Sequence, residues 1–300
     1  MKRKTFWFLF SVFLAVITGC GSGGSSDTKA PFTRTYFFAE GSNPTGVAVA
    51  PNGDVYQCSL NAPLVKYTNF GKPVGTVPQQ ATVLDPAELQ RSGITSARDV
   101  AVSPRDGTVY VLGFDAVKVG GYIGAFAPDG RFLFRFGHDP ASGRVTRADN
   151  NLAIDRAGNV SVPGNVSVGQ GTSSTYEVSV FDASGNYLRS IEKPGDTTTQ
   201  PMVAVDKDDN LYINSTLGTS VFSPSGQLLR EIAMPEALND FVVDSKGNLY
   251  IAHITLLQKY SPNGKLLAES VRTIGVLNLA IDAADNLYVA GGSTSVFPQN

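Results

Sequence analysis

The stretch VAVAPNGDVY, residues 47–56, decides the fold of this chain. Alternating apolar residues around Ala48 indicate a β-strand, Pro51-Asn52-Gly53 indicates a tight turn, and a second strand with Tyr56 follows. The same phrase returns with its first residue at Val100, Leu152, Val203, Phe241 and Leu279. Because the period is roughly 40 to 50 residues, we interpret the phrase as one supersecondary unit that is stacked on itself.

The residues that follow each copy of this phrase predict further strands. In the fourth copy, Thr219 to Ser223 indicates a third strand, Pro224-Ser225-Gly226-Gln227 a turn, and Leu228 to Ile232 a fourth strand. The same third-strand phrase and its turn end in other copies at Gly130, Gly185 and Gly264. Four antiparallel strands joined by tight turns form one blade of a β-propeller.

The two ends of the repeat region complement each other. The sixth copy stops after Thr294 to Phe297 and lacks a fourth strand, whereas Thr33 to Ala39 is a strand sequence with no blade of its own. If the N-terminal strand completes the last blade, the ring closes and no sheet edge stays open. We therefore predict an all-β fold: a six-bladed β-propeller of four-stranded antiparallel blades, closed by the N-terminal strand.

The repeat resembles the NHL-repeat family of propellers over roughly residues 33–300. The apolar-Ala-apolar-Asp-x-x-Gly-Asn-apolar-Tyr core and the Val-Phe-x-x-x-Gly turn carry the resemblance. Family repeats continue after their Tyr with Asp, Asn and Arg, where this chain has Gln57-Cys58-Ser59, Ile213-Asn214-Ser215 and Ile251-Ala252-His253. The resemblance therefore implies the fold, and a function has to be argued from a site.

The first nineteen residues have the features of a signal peptide. A basic start, Lys2-Arg3-Lys4, precedes an apolar run from Thr5 to Val16 that is too short to span a bilayer comfortably. The following Ile17-Thr18-Gly19-Cys20 resembles a bacterial lipobox, which implies that Cys20 becomes the lipidated first residue of the mature protein. The alternative is an ordinary secreted protein in which Cys20 has no such role.

Residues 20–31 are rich in Gly and Ser and indicate a flexible tether between the lipid and a propeller at 32–300. We expect a lipid-anchored protein of the bacterial cell envelope, facing the periplasm or the surface. In enterobacterial lipoproteins an Asp after the lipidated Cys retains the protein in the inner membrane. Gly21 in that place favours the outer membrane.

Charge and cysteine usage exclude some classes of function. The chain has 24 Lys and Arg against 26 Asp and Glu, and its mature part carries a net charge of about −5. That balance argues against nucleic acid as a partner. With Cys20 lipidated, Cys58 has no partner for an intramolecular disulfide, and we interpret it as a small buried apolar residue rather than a nucleophile.

Two sets of recurring residues resemble functional rings but have a structural explanation. Carboxylates recur at one turn position and tyrosines at one strand position. We expect the carboxylates to accept turn hydrogen bonds, and the tyrosines to pack between blades. The members are Asp155, Asp206, Asp244 and Asp282, and Tyr56, Tyr110, Tyr212, Tyr250 and Tyr288.

Insertions enlarge the first three blades. They span Pro78–Arg98, Gly113–Tyr122, Gly137–Asn150 and Pro163–Thr175. In the first, Asp85 as N-cap, Pro86, Glu88 and a terminating Gly93 predict a short helix.

All four insertions join strand two to three or strand four to one, so they emerge on one face of the ring, here called the insertion face. Such insertions often mark a binding side, although neutral loop drift would leave the same pattern. The candidate contact residues are Arg91, Arg98, Asp115, Lys118, His138, Asp139, Arg144, Arg147, Asp149 and Gln170.

Two functions are compatible with these observations. The first is an envelope scaffold with no cofactor, a monomeric propeller that is anchored to the membrane by its lipid and binds an envelope or extracellular protein through the insertion face. The alternative is a lactonase- or lyase-like propeller enzyme with a metal site in the central channel. His138 and His253 lie in different blades and show no paired metal spacing. A calcium site built from Asp and backbone oxygens would leave no linear motif.

Overall fold

The computed structural model describes residues 36–38, 44–59, 62–68, 80–114, 121–139, 144–148, 150–168, 174–192, 200–235, 239–271, 275, 278–292 and 294–298. The strands of the first half are β1 (Tyr36–Phe38), β2 (Gly46–Val49), β3 (Val55–Ser59), β4 (Ala62–Thr68), β5 (Gln80–Val83), β6 (Ser96–Val102), β7 (Val109–Phe114), β8 (Gly121–Phe126), β9 (Phe132–Phe136), β10 (His138–Asp139), β11 (Arg144–Ala148), β12 (Ala153–Ile154), β13 (Val160–Val168), β14 (Ser174–Phe181) and β15 (Tyr187–Ile191). Those of the second half are β16 (Met202–Val205), β17 (Leu211–Ser215), β18 (Gly218–Phe222), β19 (Leu228–Ile232), β20 (Asp240–Val243), β21 (Leu249–Ala252), β22 (Leu256–Tyr260), β23 (Leu266–Val271), β24 (Asn278–Ile281), β25 (Leu287–Ala290) and β26 (Thr294–Phe297). One helix, α1 (Pro86–Ser92), precedes β6 among these residues.

The strands form six antiparallel sheets, which are the blades of a six-bladed β-propeller. Five sheets have four strands each, and blade 3 carries additional strands. The first strands of neighbouring blades contact one another around the ring, including β24 with β2. The predicted closure is confirmed, because β1 pairs with β26 in the register Tyr36↔Val296 and Phe38↔Thr294.

Aromatic side chains join neighbouring blades. The five recurring tyrosines are at most 1% exposed. Tyr56 packs with Val100 and Val111 of the next blade, and Tyr288 packs with Val47 and Val55 of the first blade. The predicted interblade role of the tyrosines is thereby confirmed, and burial of such a ring is a large apolar contribution to each interface.

The recurring turn carboxylates are hydrogen-bond acceptors, as predicted. Asp206 Oδ1 accepts from the backbone N–H of Asp208 (2.8 Å) and of Asn210 (2.9 Å), and its Oδ2 accepts from the Asn210 amide and the Tyr212 hydroxyl. Equivalent bonds to Asn backbone N–H groups are made by Asp155, Asp244 and Asp282. These carboxylates therefore fix the turns that connect first and second strands. The face formed by these turns is here called the turn face.

Helix α1 begins and ends where the sequence predicts. The Asp85 side chain accepts a 2.8 Å bond from Ala87 N–H, and Gly93 ends the helix in the left-handed region at φ 77°. Glu88 then accepts from Phe132 N–H at 2.8 Å, which attaches the helix to β9 at the outer edge of blade 2. The helix is thus part of the wall of the propeller.

Asp85→Ala is expected to lower the free energy of unfolding by about 1 kcal/mol, because Ala87 N–H loses its acceptor. Urea unfolding followed by circular dichroism measures the change, and Asp85→Asn is expected to restore most of it. Asp208→Ala, which removes an exposed carboxylate on another turn, is the matched control. Equal loss in Asp85→Ala and Asp208→Ala would contradict the capping role.

Two of the predicted insertions consist partly of strands rather than loops. In blade 3, β13 and β14 are 9 and 8 residues long, β11 pairs with the far half of β13, and β10 pairs with β11. Pro163 and Gly164 suggested a break, but Pro163 lies between the β13 residues that pair with β12 and those that pair with β11. Its missing N–H therefore costs no ladder bond on that side. No helix within the described ranges is long and apolar enough to cross a bilayer.

Candidate functional site in the central channel

The residue that precedes each first-strand phrase lies at the insertion-face end of the central channel. Four of these residues are polar and only 2% to 5% exposed: Asp99, Asn151, Asp240 and Asn278. We call these four the channel belt. The corresponding residues of blades 1 and 4 are Gly46 and Met202. Asp99, Asn151 and Asp240 border a cavity of about 170 Å³, here called the neck.

Each belt side chain accepts a backbone N–H from the next blade. Asp99 Oδ2 accepts from Leu152 at 2.8 Å, and Asp240 Oδ2 accepts from Leu279 at 2.8 Å. The two amides do the same, Asn151 with Val203 at 3.0 Å and Asn278 with Val47 at 2.8 Å. The first strand of each blade is a sheet edge, so these N–H groups have no strand partner. The belt therefore satisfies them and ties neighbouring blades together.

The belt side chains also bind one another. Asn151 Nδ2 donates to Asp240 Oδ1 at 2.8 Å, and Asn278 Nδ2 donates to Asp99 Oδ1 at 3.2 Å. The first bond joins blades 3 and 5 and skips blade 4; the second joins blades 6 and 2 and skips blade 1. The arrangement repeats after three blades, and so does the sequence, because Asn151–Ile154 and Asn278–Ile281 are both Asn-Leu-Ala-Ile. The site thus has approximate two-fold symmetry about the channel axis.

Gly46 is required for the position of Asp99. A Cβ atom at Gly46 would lie 2.8 Å from the Asp99 Cα, 2.9 Å from its Oδ1 and 2.8 Å from the Cys58 Sγ. A side chain would therefore displace Asp99 from the belt. Cys58 is 1% exposed and burial raises the pKa of its thiol, which agrees with the predicted role as a buried apolar residue.

Burial controls the protonation of the two belt carboxyls. It raises the pKa of Asp99 to about 7, against the opposing effect of hydrogen bonds from Leu152 and Val100 N–H. The pKa of Asp240 is raised well above its usual range by burial and, in addition, by the negative charge of Asp99. The pair therefore holds a proton near neutral pH. Paired carboxyls of this kind, bordering a cavity, are typical of functional sites.

The donor set of the belt is suited to a hard cation. Two carboxylates and two carboxamide oxygens are ligands that Ca²⁺ or Mg²⁺ prefers. Within the described residues, no group of three or more His, Cys, Asp or Glu side chains could hold a metal ion, so a cation at the belt would rely on two carboxylates and the two amides. It would compete with the proton of the pair, with the amide donors at Asp99 Oδ1 and Asp240 Oδ1, and with the backbone N–H groups that occupy the other carboxylate oxygens and both carboxamide oxygens.

The two predicted contact residues with described side chains lie apart from each other. Arg91 is on α1, largely exposed, and forms a 2.8 Å ion pair with Glu88 at the outer edge of blade 2. Arg98 is the exposed extra residue of a β-bulge in β6, directly before Asp99, with its guanidinium 6.0 Å from the Phe114 ring. The bulge places one cation beside the belt, and its charge slightly lowers the pKa of Asp99.

The remaining predicted residues are not brought into a site by the described structure. His138, Asp139, Arg144 and Arg147 lie on β10 and β11, where only the backbone is described. Outside the described residues are Asp115, Lys118, Asp149, Gln170 and Cys20. The binding face stays a prediction.

Sequence reasoning missed the belt because it considered the residues that recur and not the position before them. That position reads Gly, Asp, Asn, Met, Asp, Asn through the six blades. Polar residues in front of an apolar strand usually belong to a solvated loop, whereas here the ring buries four of them and joins them in pairs across the channel. Aligning the six copies and inspecting the column before the phrase could have identified the belt.

No family model matches the chain, and no curated protein matches it. Solved structures are similar to it. A gluconolactonase of Xanthomonas campestris superposes with a TM-score of 0.61 at 18% identity over 85% of both chains. A putative gluconolactonase gives 0.63 at 13% identity over 90% of this chain and 92% of that one. A streptogramin B lyase gives 0.54 at 10% identity over 91% of this chain and 100% of that one. At these identities the likeness shows the propeller fold alone.

Proposed function

We propose that this protein is a propeller enzyme of the lactonase or lyase type, which acts on a small molecule at the channel belt with a hard divalent cation. The observation that carries the proposal is the buried Asp99–Asp240 pair at the neck, with both pKa values raised. The similarity to gluconolactonases and to a lyase supports the same class of chemistry.

The belt residues have distinct roles in such a reaction. Without a cation, Asp99, with a pKa of about 7, accepts and returns a proton near neutral pH, as a general acid–base group does; with a cation bound, its carboxylate would be a ligand instead. Asn151 and Asn278 orient the two carboxyls through the bonds that cross blades 4 and 1. A bound cation supplies Lewis-acid polarisation of a carbonyl or leaving-group oxygen. The small neck admits only the reacting part of a substrate.

Hydrolysis of glucono-δ-lactone and δ-valerolactone, followed with a pH indicator in the presence of Ca²⁺, tests the lactonase form of the proposal. We expect Asp99→Asn to lower kcat by roughly 10² or more, because the carboxylate that transfers the proton or holds the cation is lost. Asp208→Asn is the matched control, since it removes a carboxylate from an exposed turn. Turnover by Asp99→Asn at the rate of the control would contradict the proposal. The proposal would also be contradicted if the protein hydrolysed neither lactone with Ca²⁺ or with Mg²⁺ and showed no streptogramin-type lyase activity.

A second candidate is an NHL-type envelope scaffold, lipid-anchored at Cys20, that binds a protein through the insertion face. One observation favours it: the extra strands β10 and β11 and the long β13 and β14 enlarge blade 3 at this face. Extra strands on one blade give a protein surface that a partner can recognise. The lipid anchor is supported by the lipobox-like Ile17-Thr18-Gly19-Cys20, and the outer-membrane location by Gly21.

A further inference from the structure

A second cavity lies at the opposite end of the channel. Its volume is about 560 Å³, and the turns between first and second strands surround it. We call it the vestibule. Its floor has one residue from each blade, and every one is β-branched: Val49, Val102, Ile154, Val205, Val243 and Ile281. The same six residues border the neck, so the vestibule and the neck are continuous.

The floor is an aliphatic surface that a ligand can reach. Five of its six residues are only partly buried, and Val243 is the exception. All six lie at the end of a regular strand or directly beside it, so the floor is formed before a ligand arrives. A preformed apolar surface in a concave site of 300 to 1,000 Å³ is the usual setting for a small organic ligand.

The rim of the vestibule is predominantly acidic. It contains five carboxylates and two cations; both cations are already paired with carboxylates, and the rim carboxylate Asp244 lies 3.7 Å from Lys259 Nζ, which does not line the vestibule. Arg156 Nη2 lies 3.0 Å from Asp209 Oδ2, and Lys207 Nζ lies 2.8 Å from the neighbouring Asp208. The rim carboxylates are Asp206, Asp209, Asp244, Asp282 and Asp285.

The acidic groups of blade 6 are held by uncharged donors. Asp285 Oδ1 accepts from Ser245 N–H at 2.8 Å and its Oδ2 accepts from the Ser245 hydroxyl at 2.6 Å. Asp282 accepts from the backbone of Ala284 and Asn286 and from the Tyr288 hydroxyl. Because these donors carry no formal charge, the negative charge of both carboxylates acts on whatever occupies the vestibule.

We propose that the vestibule binds a small organic cation, whose apolar body rests on the floor and whose ammonium group faces Asp282 and Asp285. The aliphatic floor selects the body and the acidic rim selects the sign of the charge. The site lies at the other end of the same channel from the belt, and the prediction that it binds an organic cation does not depend on the chemistry proposed at the belt.

Three ligands with the same six-carbon chain test this proposal: hexylammonium, hexanol and hexanoate. Titration of protein with ¹³C-labelled Ile methyl groups gives the affinity and the location together. We expect the Ile154 and Ile281 resonances to shift at millimolar hexylammonium, with hexanol at least threefold weaker and hexanoate weakest. Added salt should reduce the difference between hexylammonium and hexanol.

Asp285→Asn removes one charge but keeps an acceptor for Ser245, and Asn tolerates the φ of 62° found at this position. It is expected to weaken hexylammonium several-fold and to leave hexanol unchanged. Asp129→Asn, the same charge change on an exposed turn residue that neither lines the vestibule nor pairs with a rim cation, should have a smaller effect. Equal affinity for the three ligands, unshifted Ile154 and Ile281 resonances, or equal effects of the two variants would each overturn the proposal.

Discussion

The stability of the protein is expected to fall as the pH rises from 4 to 7, because of the buried carboxyl of Asp99. Its pKa is about 7 in the folded chain and near the ordinary value of an Asp in the unfolded chain. Between these values the folded state binds the additional proton, so the stabilisation is complete below the unfolded pKa and is lost through the folded pKa. A shift of this size corresponds to about 4 kcal/mol. Asp240 acts in the same direction.

The measurement is the free energy of urea unfolding at several pH values for the wild type and for Asp99→Asn. Other carboxylates titrate in the same range, so the informative quantity is the difference between the two proteins at each pH. We expect Asp99→Asn to have the lower free energy of unfolding at pH 4, and we expect its difference from the wild type to become smaller as the pH rises. Asp208→Asn should differ from the wild type by a small and constant amount. A constant difference for Asp99→Asn would show that Asp99 is not held protonated by burial.

Binding of a divalent cation provides an independent test of the protonation of Asp99 and Asp240. If Ca²⁺ binds the belt, it stabilises the folded protein only where the carboxyls can lose their protons. The rise in melting temperature on adding Ca²⁺ should therefore be larger at pH 8 than at pH 5, and absent in Asp99→Asn.

The fold could be predicted from the sequence because its determinants are local and repeated. Five of the six copies contain an interblade tyrosine and four contain a turn carboxylate, as blade 4 does with Tyr212 and Asp206. The closure by the N-terminal strand followed from the strand that the last copy lacks and the extra strand at the N-terminal end. Blade 3 was harder, because Pro163 and Gly164 are common strand breakers and are accommodated where β13 changes its partner.

The site could not be predicted in the same way, since it depends on contacts between distant residues. Asn278 and Asp99 are 179 residues apart, and Asn151 and Asp240 are 89 apart. The residues next to these Asp and Asn residues in the sequence do not distinguish them from other Asp and Asn residues of the chain. Only the closed ring makes the four side chains adjacent, and only their burial changes the pKa values of the two carboxyls. Six local repeats therefore determine the ring, and the closed ring creates a site that no single repeat contains.

Closure of that ring by β1 should have the largest effect on stability of any terminal segment. A chain that begins at Gly41 lacks β1 and leaves β26 as an open sheet edge beside Thr294, Val296 and Phe297, which are 0% exposed in the intact protein. We expect its melting temperature to fall by about 10 °C or more, which corresponds to a loss of roughly 3 to 5 kcal/mol for a domain of this size. Unpaired edges also associate, so size-exclusion chromatography should show concentration-dependent oligomers.

The matched control is a chain that begins at Pro31, which removes the tether but keeps β1. It should melt with the full-length mature protein and elute as a monomer. A peptide of residues 33–40 added to the shorter chain should restore part of the lost stability, because it can pair with β26 in the native register. If the chain from Gly41 melts with the control and elutes as a monomer, β1 is dispensable and the remaining three strands of blade 6 hold the ring closed. In that case the belt, whose Asn278–Val47 bond crosses the same junction between blades 6 and 1, would be the stronger closure.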